Sequence, residues 1–343
     1  MIISGIPMLF GGGTSPQYIA VAQSDTPYVI VYPWSASGFG TKFANPATLP
    51  DGGGNGVAFT TANDAIAVAN QGTIEITAYP WSAAGFGTKF SNPGTTPEEA
   101  GTGVAFTGAD NAVAVVHGAS PRVMAYSWSS AGFGSKFANP ATLPASDGKG
   151  VAFTSTSNAI AVAHSSGAGI TAYPWSVSGF GTKFANPAVV PTVNAALGVA
   201  FSPAATQIAV AHQDSPFVTA YPWSVSGFGT KFADPGTLPG STGNAVAFSP
   251  DGNAIAIAHD SSPYVTAYPW SASGFGTKFA DPATLPTGSG YGVSFSSTAT
   301  EIAIAHASTP GITAYTWSAS GFGTKFANPT TLPTHATGVA FSK

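Results

Sequence analysis

Histidine, lysine and tryptophan are the side chains of this 343-residue protein that recur often enough to suggest chemistry. Their spacing says as much as their type. His117, His164, His212, His259 and His306 each close a short Ala/Val/Ile run, and two further copies of that run end in Gln23 and Asn70. A ring of polar groups suggests a metal. Stacked sheets, however, lie ~10 Å apart, whereas zinc ligands converge to ~2 Å from the ion. Equivalent histidines in successive units cannot share one ion. Gln and Asn at the same place point instead to hydrogen bonding at a strand end, because buried polar groups are paired. No metal site and no cofactor is expected.

Lys42, Lys89, Lys136, Lys183, Lys231, Lys278 and Lys325 recur in the same way, in segments that should form the outer edge of each unit. Lysine on an exposed edge blocks edge-to-edge pairing; an anion at each unit is the functional alternative. The aromatic pairs Trp34 and Phe39, Trp81 and Phe86, Trp128 and Phe133, Trp175 and Phe180, Trp223 and Phe228, Trp270 and Phe275, and Trp317 and Phe322 stand in Ser/Gly-rich turns. Rings there offer faces to carbohydrate, and copying would multiply weak sites by avidity. They also suit packing between units. These fourteen residues are the candidate ligand-binding positions.

Catalytic residues are not apparent. Glu75, Glu98, Glu99, Asp110, Asp147 and Asp214 lie in different loops without a repeated partner, and Arg122 and Lys149 are isolated. The loops that precede the first strand of each unit differ between copies, as Thr95–Glu99 and Pro144–Lys149 do, yet they are mostly small residues, poor in acids and bases. The expectation is that the protein is not an enzyme. Gly274-Phe275-Gly276 is no phosphate loop, since it precedes a strand rather than a helix.

The elements that position these residues follow from the period. The seven tryptophans are spaced by 47 residues five times and 48 once, and a period of that size means repeated supersecondary units. In the copy at 246–285, Val246–Ser249 is stopped by Pro250-Asp251-Gly252-Asn253, a turn signal. Ala254–His259, Tyr264–Tyr268 and Phe275–Ala280 follow, giving four short strands and no helix. Alternation in the second strand puts Ala256 and Ala258 on one face and Ile255 and Ile257 on the other. Both faces are apolar, so both are buried, small against large.

Val-Ala-Phe, the first strand, recurs last at Val339-Ala340-Phe341, while the chain opens with strands two to four. Such fragments complete a ring, and closure removes exposed edges. The expected fold is therefore all-β: a single seven-bladed β-propeller domain over 1–343. Each blade has four antiparallel strands, and the terminal blade is shared by about 1–50 and 337–343. Met8-Leu9-Phe10 loosely mimics the first strand and could compete for the same edge.

Composition narrows the partners. Only 7% of residues are charged and 44% are apolar, against ~25% charged in ordinary domains. A net charge of −4 gives no reason to expect a nucleic-acid surface or anionic membrane. No cysteine is present, which excludes disulfides and thiolate chemistry. The opening Met1–Phe10 lacks the basic flank of a Sec-type signal peptide, and no apolar run reaches the ~20 residues of a membrane span, so no membrane insertion is expected.

Val246-Ala247-Phe248-Ser249-Pro250-Asp251-Gly252 followed by Ala254–Ala258 resembles the inner strands of WD-repeat and related propellers. The family's Trp-Asp pair is best matched by Tyr268-Pro269, and its Gly-His pair and tetrad Asp are absent, so the resemblance is to a divergent member. The regular Tyr-Pro-Trp-Ser and Gly-Phe-Gly-Thr-Lys-Phe copies are similar to repetitive propellers of bacteriophage virion or tail-associated proteins. That resemblance implies a non-catalytic assembly or adhesion propeller in a virion, with other assembly proteins or surface glycans as partners. A multivalent lectin is the alternative, and a funnel-type lactonase the least favoured.

Overall fold

A computed structural model describes residues 17–191 and 194–343. Met8-Leu9-Phe10 and the opening segment lie outside them. Seven four-stranded antiparallel sheets form a ring of blades, with no helix among the described residues. In blade two the strands run Gly54–Phe59, Ala65–Asn70, Ile76–Ser82 and Gly85–Phe86, from the central channel outward. Blade one takes its inner strand from Ala336–Phe341, which pairs with Gln17–Gln23 in the register Ile19 to Phe341 and Val21 to Val339. Ser342 completes the seam, its hydroxyl accepting from Tyr18 N at 2.9 Å.

The second strands are buried throughout, save for the half-buried first residues Gln17, Gln207 and Glu301, as both-face apolarity requires. Ile255 and Ile257 of blade six pack against Ala209, Ala211 and Ala220 of blade five, large into small. The Tyr of every third strand stitches adjacent blades. Tyr79 donates to Thr48 O at 2.8 Å and Tyr173 to Thr142 O at 2.7 Å, each carbonyl lying in the loop that enters the blade. Burial pushes these phenols well above their ordinary pKa.

Around the channel the inner strands approach closely, most of all at Gly150 and Gly198, while blade six accommodates Ala245 at the same place. A Cβ built on Gly198 would lie 2.9 Å from Ala245 Cα, and one on Gly150 2.8 Å from Leu197 O. Substitution there would force the blades apart.

The fourth strand varies with one residue. Where the third strand carries Pro33, Pro80, Pro174, Pro222 or Pro269, the outer strand has two residues; where Ser127 or Thr316 replaces it, five. Proline has no N–H to pair with the outer strand. The expectation that the recurring lysines sit in outer strands therefore holds only for Lys136 and Lys325. All seven are already engaged: each ammonium bonds the Asn or Asp three residues on, as Lys42 does Asn45 and Lys231 does Asp234. Edge blunting falls instead to the shortness of the strands.

Candidate functional site

The candidate aromatic pairs are packing elements. Trp34, Trp81, Trp128, Trp175, Trp223, Trp270 and Trp317 are only 4–7% exposed. Each indole is boxed edge-on by phenylalanines. Trp34 meets Phe39 of its own turn, Phe326 of the preceding blade and Phe341 of its inner strand, at centroid distances of 4.9, 4.9 and 5.2 Å. Phe86, Phe133, Phe180, Phe228, Phe275 and Phe322 pack on their own tryptophans in the same way. Trp223 and Trp317 nevertheless each line a cavity between blades, of about 520 and 190 Å³.

The recurring histidines are completely buried. His164, His212, His259 and His306 place Nε2 at 2.9–3.0 Å from the hydroxyls of Thr171, Thr219, Thr266 and Thr313, each seven residues on. Burial drives His117, His212, His259 and His306 down to about 4, so they are neutral at pH 7. No cluster of three or more metal-ligating side chains occurs among the described residues.

Unequal residues gather at one mouth of the channel. Counting from blade one, the second residues of the seven inner strands are Thr337, Asn55, Thr102, Lys149, Leu197, Asn244 and Tyr291. Four lock their blade to the next. Thr337 donates to Gly54 O at 2.6 Å, Asn55 to Gly101 O at 2.8 Å, Thr102 to Gly148 O at 2.7 Å, and Asn244 to Gly290 O at 2.8 Å. Among the described residues Lys149, Leu197 and Tyr291 make no such lock. Lys149 Nζ lies 3.7 Å from Asp147, and Tyr291 is 42% exposed. Leu197, Tyr291, Asn55, Asn244 and Thr337 rim a cavity of about 240 Å³ whose walls are valine and glycine.

On the same face, two residues before Thr337, stands His335. Its Nδ1 is 2.9 Å from Asp25 Oδ2, across a sequence separation of 310. Asp25 belongs to the loop after the second strand of blade one. The His335 imidazole holds the Asp25 carboxyl below its ordinary value, with the Thr334 hydroxyl adding to the effect. An ionised carboxylate only accepts, so Nδ1 carries the hydrogen, and in the neutral imidazole Nε2 is then the acceptor. Both side chains are open to solvent, at 70% and 53% exposure. Sequence reading missed this pair because nothing repeats it; the signal was a sixth histidine outside the recurring set.

The acids and isolated cations singled out from sequence do not converge. Asp110 accepts from Thr61 N and Ala62 N in the turns at the other mouth. Asp214 bonds Asn194, and Glu98 and Glu99 are exposed. Glu75 is buried, which raises its pKa. Arg122 is half-buried at the entry to the third strand of blade three. Only Asp147 and Lys149 come together, at the rim.

No family model matches the sequence, and no curated protein matches it either. Solved structures do resemble the fold. A Bacteroides uniformis protein provisionally named a 6-phosphogluconolactonase superimposes with a TM-score of 0.75 at 11% identity, covering 96% of this chain and 100% of its own. The periplasmic gluconolactonase of Pseudomonas aeruginosa gives 0.72 at 12%, covering 95% and 99%. A Lactobacillus plantarum protein gives 0.72 at 15%, covering 96% and 100%. At such identities the likeness establishes the seven-bladed propeller and nothing finer. It nevertheless corrects the expectation of a non-catalytic virion or tail-associated propeller. Propellers of this shape include named lactonases, and neither a WD-repeat nor a phage protein is among these three. The non-enzyme expectation rested on a mouth without acid or base, and folding brings His335 and Asp25 together there.

Proposed function

We propose that this propeller hydrolyses cyclic esters on the channel-mouth face that carries His335. The observation that carries the reading is the His335–Asp25 pair, with Nδ1 anchored on a carboxylate and Nε2 turned free. The lactonase names of propellers of the same shape support it. His335 Nε2 takes a proton from water as the water oxygen bonds to the lactone carbonyl carbon. Collapse of the tetrahedral intermediate breaks the ring C–O bond, and the imidazolium returns its proton to the departing ring oxygen. Asp25 holds the ring's orientation and stabilises the transient imidazolium. The product is a hydroxy acid, which ionises at neutral pH. Leu197 and Tyr291 line the channel cavity that opens on the same face.

Proton release from a panel of sugar δ-lactones, their phosphorylated forms and aliphatic γ-lactones tests the reading. Hydrolysis is expected, reduced ~10²–10⁴-fold in His335→Gln and less in Asp25→Asn. Absence of hydrolysis across the panel, or a His335→Gln variant as active as the parent, would overturn it.

A further inference from the structure

Resting on the reading of His335–Asp25 as the catalytic pair, we infer that Gln23 is the residue that positions it, by tying the loop of Asp25 to the closing segment of His335. Gln23 fills the strand-end place that histidine fills in five blades, and it is 2% exposed. In blade four His164 Nδ1 bonds the carbonyl two residues on, Ser166 O, at 2.8 Å, while Nε2 meets the Thr171 hydroxyl at 3.0 Å. Gln23 keeps the first half of this pattern: its Nε2 donates to Asp25 O at 2.9 Å. The second half is redirected. Ile30 stands where Thr171 would, and Gln23 Oε1 instead accepts from Thr334 N at 3.2 Å.

One buried amide thus holds the backbone of Asp25 on one side and of Thr334, the neighbour of His335, on the other. Ser24 N adds a bond to His335 O at 3.1 Å. A histidine at position 23 could keep the donor to Asp25 O but would turn its other nitrogen toward position 30, leaving Thr334 unheld. Two blades break the copying here: Asn70 of blade two donates to Ile74 O within its own loop, whereas Gln23 of blade one reaches the closing segment beside the pair.

The double variant Gln23→His/Ile30→Thr restores the His–Thr pattern of blades four to seven, so it separates packing from positioning. Its thermal midpoint is expected within a few degrees of the parent. The Asp25 carboxyl, followed by carbon NMR, should rise toward its ordinary pKa, the Nδ1–H signature of His335 should fade in nitrogen NMR, and lactone hydrolysis should fall about tenfold or more. Should the double variant not fold, Gln23→Met, similar in length and without hydrogen bonds, carries the same expectation. Parent-like Asp25 and His335 signals in the folded variant overturn the positioning role, whatever the activity. If the parent hydrolyses no lactone yet the two signals move, positioning stands and the hydrolase reading fails.

Discussion

The tryptophan layer and the channel mouth belong to the same seven copies, yet one has been kept uniform and the other has drifted. At the outer layer Tyr, Trp, Phe and Lys recur with the same partners: Tyr to the preceding loop, Trp among three phenylalanines, Lys to the Asn or Asp three residues on. At the mouth the second residue of the inner strand is Thr, Asn, Thr, Lys, Leu, Asn or Tyr. The reason is mechanical. A side chain that fills the wedge between blades must fit both neighbours, so one solution serves all seven places. At the mouth a side chain meets water on one side and can change without opening the ring. Uniformity therefore marks the frame, and divergence marks the place where a function can be specific to one blade.

The largest expected way to break the frame is acid. His117, His212, His259 and His306 are buried and neutral, with values near 4 against ~6.5 for free imidazole. The unfolded chain therefore binds these protons first. Stability from this source is present above pH 6.5 and is lost as pH falls toward 4, at about 3 kcal/mol for each histidine. Aspartates whose values lie below the ordinary carboxylate value cannot account for that window. Thermal midpoints between pH 7 and 4 should fall steeply and together in all blades. His259→Gln, which copies the residue blade one already uses, should flatten the slope by about one proton. A level profile over this range would show that the ring of histidines carries no such penalty.

Much of this was legible in the sequence. The 47-residue period gave the blade number, Ala/Ile alternation gave two-sided burial, and Val339-Ala340-Phe341 gave the closure. The candidate site was not legible, because His335 and Asp25 meet only when the ring closes, and Gln23 reads as a harmless exception until its two partners are seen. The Trp turn looked exposed because Ser and Gly surround it; in the fold the hydroxyls point out while the indole edges are covered by a neighbour's phenylalanine. Contacts between blades are not encoded within a single repeat, and so the reading of one repeat missed them.

A smaller effect sharpens the contrast between the two regions. Trp175 is packed at 5.1, 5.0 and 5.0 Å from Phe137, Phe153 and Phe180. Trp175→Ala should cost ~3–5 kcal/mol by denaturant unfolding. Tyr291→Ala, at an exposed rim position without a blade-to-blade lock, should stay within ~0.5 kcal/mol of the parent. Equal losses would erase the distinction between frame and mouth.

The smallest effect concerns the outer edge, where a single residue separates two kinds of blade. Five blades carry proline two residues before the Ser that ends the third strand, and each has a two-residue fourth strand. Ser127 and Thr316 supply the missing N–H and also a hydroxyl that meets the outer strand, at Ser135 O and Thr324 N, and there the fourth strand runs from Gly132 to Lys136 and from Gly321 to Lys325. If the absent donor sets the length, Pro80→Ser should extend the outer strand of blade two, and Ser127→Pro should shorten that of blade three. Each change is worth ~1 kcal/mol or less, the net value of one hydrogen bond. Amide exchange reads it directly: residues 87–89 and the new amide at position 80 should slow in the first variant, and residues 134–136 should quicken in the second. Exchange unaltered in both would mean that the turn sequence, which all seven blades share, limits the outer strand instead. The five short edges would then need a cause outside the proline ring.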